Sequence, residues 1–108
     1  MASFQVFRDV RGEYRYRLKG DNGEIVLASE AYTTKTSALS GVESVKRNAP
    51  IEEQYRRKQI STGYCFNLLA ANGEIVGVSE VYMSAAARDK GIEAVKRGAP
   101  SAPINDLV

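Results

Sequence analysis

Two short constellations carry the chain's polar chemistry, Ser29-Glu30-x-Tyr32 and Ser79-Glu80-x-Tyr82. Each gathers two hydroxyls and a carboxylate within four residues, a set that could orient a small polar ligand. Catalysis would require more. The chain has no histidine, which removes imidazole bases, histidine metal ligands and Ser/His or Cys/His nucleophiles. Glu30 or Glu80 would then have to serve as base, with a pKa raised by burial. Cys65 is the single cysteine, so there is no internal disulfide and no cysteine zinc cluster. Glycine-rich phosphate loops and clustered calcium carboxylates are also missing. These residues point to a non-enzymatic protein without cofactor or metal. The Ser-Glu-x-Tyr groups have a structural use too, with the serine bonded to nearby backbone and the tyrosine plugging a strand end.

A second constellation is basic: Arg15, Arg17 and Lys19 alternate along one stretch, and Arg56-Arg57-Lys58 form the one dense run of charge. Fifteen Lys and Arg against thirteen Asp and Glu leave a net charge of +2, too slight to demand a nucleic acid or an acidic membrane. Tyr14, Tyr16, Tyr64 and Phe66 alternate onto the face opposite the cations, which leaves no base-stacking platform beside them. Nucleic acid is therefore a secondary expectation. The leading one is a binding or interaction module that uses an outward sheet face around Arg15, Arg17, Lys19 and Arg57. Small-ligand recognition by Ser29, Glu30, Tyr32, Ser79, Glu80 and Tyr82 is the alternative.

An internal repeat positions both constellations. Residues 13–50 lie on residues 63–100 without a gap, and 17 of these 38 positions are identical, which marks a duplication. In each copy, alternating apolar residues (Tyr14, Tyr16, Leu18; Tyr64, Phe66, Leu68) predict a half-buried strand. Asn22-Gly23 and Asn72-Gly73 follow, a signal for a two-residue type I′ hairpin turn. That turn would keep Tyr14, Tyr16, Leu18, Ile25, Leu27 and Ser29 on one face and set Arg15 opposite Glu30. Thr34 and Ser84 are the expected helix N-caps. Apolar residues then recur at helical spacing, at Ala38, Val42, Val45 and Ala49 and at Ile92, Val95 and Ala99, with helix ends near Asn48 and Gly98. Gly41 and Gly91, mid-helix, imply a close approach of helix to sheet or helix to helix. Glu43 with Arg47, and Glu93 with Arg97, have the spacing of helical ion pairs.

Phe4 to Arg8 reads as a further strand. Its counterpart in the second copy carries Arg56 and Arg57 against Val6 and Phe7, which predicts a strand that lies differently or guards an edge. Ile51 to Gln54 and Ile104 to Val108 are candidates for short strands.

Taken together, the aromatic-rich first strand, Asn-Gly-Glu-Ile-Val, Ser-Glu-x-Tyr and the Gly-x-Glu-x-Val-Lys-Arg helix end resemble the YegP-like family over nearly the whole chain. The resemblance implies a βββα unit, used singly in homodimers or in tandem, with a continuous sheet and C-terminal strands exchanged between units. It implies no reaction and no catalytic residue. The departure at Arg56 and Arg57 bears on the first strand of copy two.

The expected architecture is thus α+β, with tandem βββα repeats of about 1–50 and about 51–108 in one pseudo-twofold domain spanning 1–108. Its antiparallel sheet would carry both helices on one face. A monomer is expected because duplication supplies internally what a single copy obtains by pairing. The opening residues lack a basic and then apolar leader, and no apolar run reaches bilayer length, so the expected setting is cytoplasmic and away from membranes.

Overall fold

The computed structural model describes residues 1–108. The first repeat contains β1 (Ser3–Arg8), β2 (Tyr14–Lys19), β3 (Ile25–Ala28) and α1 (Lys35–Asn48). The second contains β4 (Tyr55–Ile60), β5 (Gly63–Leu69), β6 (Ile75–Val78) and α2 (Ala85–Gly98), and β7 (Ile104–Asp106) follows. The strands form one sheet in the order β4-β5-β6-β3-β2-β1-β7. Ala28 pairs antiparallel with Val78, and these two residues hold equivalent places in the repeats. The pseudo-twofold axis therefore passes between β3 and β6.

Caps and periodicity account for the helices. The Thr34 hydroxyl accepts from the Ser37 amide at 3.1 Å and the Ser84 hydroxyl from the Ala87 amide at 3.0 Å, which fixes both N-termini. Ala38, Val42, Val45 and Ala49 on one side, and Ile92, Val95 and Ala99 on the other, are fully buried and join the strand residues Phe4, Val6, Tyr16, Leu18, Leu27, Phe66 and Leu68 in one continuous core. The glycines are where the tyrosines fit. A Cβ at Gly41 would lie 2.6 Å from Tyr16 Cε2, and one at Gly91 would lie 2.7 Å from Tyr82 Cζ.

The two halves interlock by unequal residues at equivalent positions. Leu27 of the first repeat packs where Gly77 of the second has no side chain, and a Cβ there would meet Leu27 at 2.5 Å. Tyr16 stands where the second repeat has Phe66, and its hydroxyl donates to the Val76 carbonyl across the axis.

Several local expectations are corrected. The hairpin turns are not type I′. Only Gly23 (φ 81°) and Gly73 (φ 87°) are left-handed, and neither Asn22 nor Asn72 is. Gly23 donates its amide to the Gly20 carbonyl at 3.0 Å, while the Asn22 side chain accepts from the Glu24 amide at 3.1 Å. The second copy repeats both bonds. This is a three-residue connection closed by a glycine bulge. The longer turn sets Ile25 opposite Lys19 and Ile75 opposite Leu69, so both isoleucines turn outward to solvent. A second one-residue irregularity between Leu18 and Lys19, and between Leu68 and Leu69, restores the pairing of Leu18 with Leu27 and of Leu68 with Gly77. Residues Glu52–Gln54 form a 3₁₀ turn and not a strand. The last strand does form, but it runs parallel to β1, so the sheet is mixed. The chain leaving α2 enters alongside β1 in the same direction, with the Phe4 amide donating to the Pro103 carbonyl at 2.8 Å and the Leu107 amide to the Val6 carbonyl at 2.9 Å. No helix is long and apolar enough to cross a membrane.

Candidate functional site

Both helices pack on one side of the sheet, and the strand residues that alternate away from the core make up the other side. On β2 these are Arg15, Arg17 and Lys19, since Tyr16 and Leu18 point into the core. Arg15 Nε bonds Asp9 Oδ2 at 2.9 Å, and the guanidinium holds the Asp9 carboxyl below the usual carboxylate range. This replaces the anticipated partner Glu30. β1 supplies what Arg17 needs: Gln5 Oε1 accepts from Arg17 Nε at 2.8 Å, and the guanidinium stacks 4.3 Å from the centre of the Phe7 ring. Phe7 is an outward aromatic that the sequence reading passed over, although its parity with buried Phe4 and Val6 could have shown it. Lys19 makes no ion pair.

Arg57 does not join this group. In the observed register Tyr55 faces Leu68 as Phe4 faces Leu18, so Arg57 occupies the position of Val6 on the helix side. There it bonds Glu52 Oε2 at 2.7 Å and Asp89 Oδ1 of α2 at 3.2 Å. Lys96 completes the cluster on Glu52, and the two cations hold the Glu52 carboxyl down to about 2. The residues of β4 that face outward are Arg56, Lys58 and Ile60. As expected of its charge, β4 is an edge strand. Four strand spacings, roughly 19 Å, separate it from the cations of β2.

The Ser-Glu-x-Tyr groups lie at the strand ends before each helix, one in each half. Ser29 Oγ accepts from the Tyr16 amide at 2.9 Å and donates to the Glu30 carbonyl at 2.7 Å. Ser79 does the same with Phe66 and Glu80, at 2.9 and 2.7 Å. The backbone therefore engages both hydroxyls as donor and as acceptor. Tyr32 and Tyr82 exchange backbone bonds with Tyr14 and Tyr64, and their half-buried rings stack on Tyr16 and Phe66. Burial pushes the Tyr82 hydroxyl above its ordinary pKa. Glu30 and Glu80 are exposed and form no ion pair. Each group closes its strand end, with the serine turned to the backbone, the tyrosine ring against the core and the glutamate exposed.

The helical ion pairs read from spacing are absent too. Neither Glu43 with Arg47 nor Glu93 with Arg97 is in contact, and Lys96 lies 3.3 Å from Glu93 instead. Cys65 is buried, and no group of three His, Cys, Asp or Glu side chains could hold a metal ion.

The duplicated βββα architecture also decides the relationship. A family model described as "Domain of unknown function (DUF1508)" matches twice, over residues 9–55 and 61–106. The chain belongs to this family of YegP-like proteins. The UPF0339 protein in the ptx operon 5′ region of Stutzerimonas stutzeri is 51% identical over 57 residues, 53% of this chain and 51% of that protein. The matched segment spans about half the length of that curated relative. Two solution NMR structures superpose over 98% of the chain. The UPF0339 protein from Shewanella oneidensis does so with TM-score 0.93, 39% identity and 91% of its own length. YegP from Escherichia coli, described as of unknown function, does so with TM-score 0.92, 42% identity and 92% of its length. These relatives establish an uncharacterised module with a duplicated α+β fold.

Proposed function

We propose that this protein is a non-catalytic interaction module that takes an acidic polypeptide partner on the open face of its sheet. One observation carries this reading: the outward strand positions hold five cations, Arg15, Arg17, Lys19, Arg56 and Lys58, of which only Arg15 has a carboxylate partner, Asp9, in a chain whose net charge is only +2. Between the two cationic strands lie Ala28, Asn67 and Val78, a floor of low charge. A face of one sign raises the local concentration and the association rate of a partner of the other. Acidic protein is favoured over nucleic acid because Phe7 is the one outward aromatic of the strands and Arg17 already covers it, which leaves little for bases to stack on.

The test is an amide NMR titration with a short glutamate-rich peptide, repeated with single-stranded RNA of equal charge. Lys19 and Lys58 make no ion pair within the protein, so Lys19→Glu with Lys58→Glu removes most of the positive charge of this face without breaking an ion pair. Saturable shifts on β2 and β4 with the peptide, lost in the double variant, are the expected result. An absence of shifts, or tighter binding of the RNA, refutes the proposal.

A further inference from the structure

The pseudo-twofold generates two equivalent grooves, each between the C-terminal turn of one repeat's helix and the hairpin tip of the other repeat. One, of about 530 Å³, is lined by Ala94, Arg97, Gly98 and Ser101 after α2 and by Gly20 and Asp21 of the first hairpin, with Met1 and Ala2. The other, of about 470 Å³, is lined by Ser44, Arg47, Asn48 and Ile51 after α1 and by Ala70, Ala71 and Asn72 of the second hairpin. The repeats differ here in charge and in filling. The first groove is internally satisfied: Asp21 Oδ1 lies 2.8 Å from the Met1 ammonium, with Arg97 nearby, and Ala2 packs against Gly98 so closely that a Cβ there would lie 2.9 Å from its methyl. In the second groove Ala71 replaces Asp21 and Asn48 replaces Gly98. Neither Arg97 nor Arg47 forms an ion pair, but Arg97 shares its groove with the Asp21 carboxylate, whereas no carboxylate lines the groove of Arg47.

We infer that the second groove binds a small carboxylate with a short apolar body. Its donors are the Arg47 guanidinium, the Asn72 side-chain amide and the Ser44 hydroxyl. The Asn72 oxygen accepts from the Glu74 amide at 3.0 Å, which leaves its NH2 for a ligand. Ser44 Oγ accepts from Asn48 Nδ2 at 3.3 Å, and its own proton is free to donate. Asn48 is the buried polar element of the site, 6% exposed and fixed by a 2.8 Å bond to the Ser44 carbonyl. The negative pole of α1 opposes an anion, and it is partly engaged within the protein: the Ile51 amide donates to the Asn48 carbonyl at 3.0 Å and the Tyr55 hydroxyl to the Ala49 carbonyl at 2.7 Å. Ala70, Ala71 and Ile51 provide the apolar wall for the ligand body.

Titrating the full chain with sodium acetate and with sodium butyrate at constant ionic strength, followed by amide NMR, tests the site. Saturable shifts at Ser44, Arg47, Asn48 and Asn72 are expected with a dissociation constant on the order of 10 mM, as so few ligand atoms allow. Butyrate should bind more tightly than acetate, and Arg97 and Asp21 should stay unmoved. Arg47→Gln should weaken binding about tenfold or more. Ala71→Asp, which gives this groove the carboxylate of the other, should abolish it. Both positions are exposed, so thermal melts should show both variants folded. Linear shifts, unchanged binding in either variant, or equally tight binding of inorganic phosphate would overturn the inference.

Discussion

Gly41 offers the sharpest perturbation because the helix and the core respond to it with opposite signs. Replacing a helical glycine by alanine gains about 1 kcal/mol of helix propensity. Against this, the new Cβ would lie 2.6 Å from Tyr16 Cε2 and 2.9 Å from the hydroxyl oxygens of Tyr16 and Tyr32. Carbon atoms rest about 3.5 Å or more apart, so the Tyr16 ring must shift by roughly 1 Å. It has little freedom to do so, being 1% exposed, bonded through its hydroxyl to Val76 and stacked on Tyr32 with ring centres 6.0 Å apart. Overpacking of this kind costs about 1–3 kcal/mol, and loosening the buried hydroxyl bond adds about 1–2. Gly41→Ala should therefore destabilise the protein by about 1–4 kcal/mol net, which at about 4 °C per kcal/mol lowers Tm by about 4–16 °C. Gly91→Ala is the internal control. Its Cβ meets the hydroxyl end of Tyr82, a half-buried ring that can swing toward solvent, so its stability should stay within about 1 kcal/mol of the parent. Urea unfolding of both variants decides the matter. A stabilised Gly41→Ala, or a Gly91→Ala that costs as much, would refute this account of the helix contacts.

Removing one oxygen in Tyr16→Phe strands the buried Val76 carbonyl and should cost about 1–2 kcal/mol in urea unfolding; no loss would mean that the bond across the axis contributes nothing. Glu52, held at about 2 when folded, contributes stability that is complete above the ordinary glutamate value and is lost as the pH falls toward 2. A Glu52→Gln variant should therefore unfold at lower urea than the parent at pH 7 and match it near pH 2, whereas a difference independent of pH would contradict the assignment. Replacing Arg56 and Lys58 together by threonine removes the outward charge from an edge strand. Sedimentation should then show self-association at about 100 μM, and a strictly monomeric variant would show that the basic residues are not what keeps β4 unpaired.

The elements themselves were legible because each is specified by neighbours in sequence. Both N-caps, both helix ends and the buried stripes of α1 and α2 follow from capping chemistry and a 3.6-residue period. The place of β4 at an edge follows from Arg56 to Lys58, and the glycine contacts from the matching positions of Gly41 and Gly91. Misreadings arose where a single residue of register matters. The glycine bulge after Asn22 and Asn72 adds one residue to the turn, which reverses Ile25 and Ile75, and a second irregularity one pair further on returns Leu18 to its place opposite Leu27. The tighter connection between β4 and β5 likewise moves Arg57 into the position of Val6 and so onto the helix side, away from Arg15 and Arg17. Arg15 turned to Asp9 because a loop aspartate six residues back is nearer than a neighbouring-strand glutamate.

By itself, the sequence determined the duplication, the βββα unit, the helix limits and the exclusion of imidazole chemistry, since these depend on composition and short-range periodicity. Which cations share a face, where β7 docks, how Leu27 and Tyr16 cross the pseudo-twofold, and that one of two equivalent grooves is lined by an arginine without a carboxylate all come from long-range packing. Each of those depends on residues far apart in the chain being brought within a few ångströms. An alternating pattern is equally satisfied by several registers until the packed core selects one.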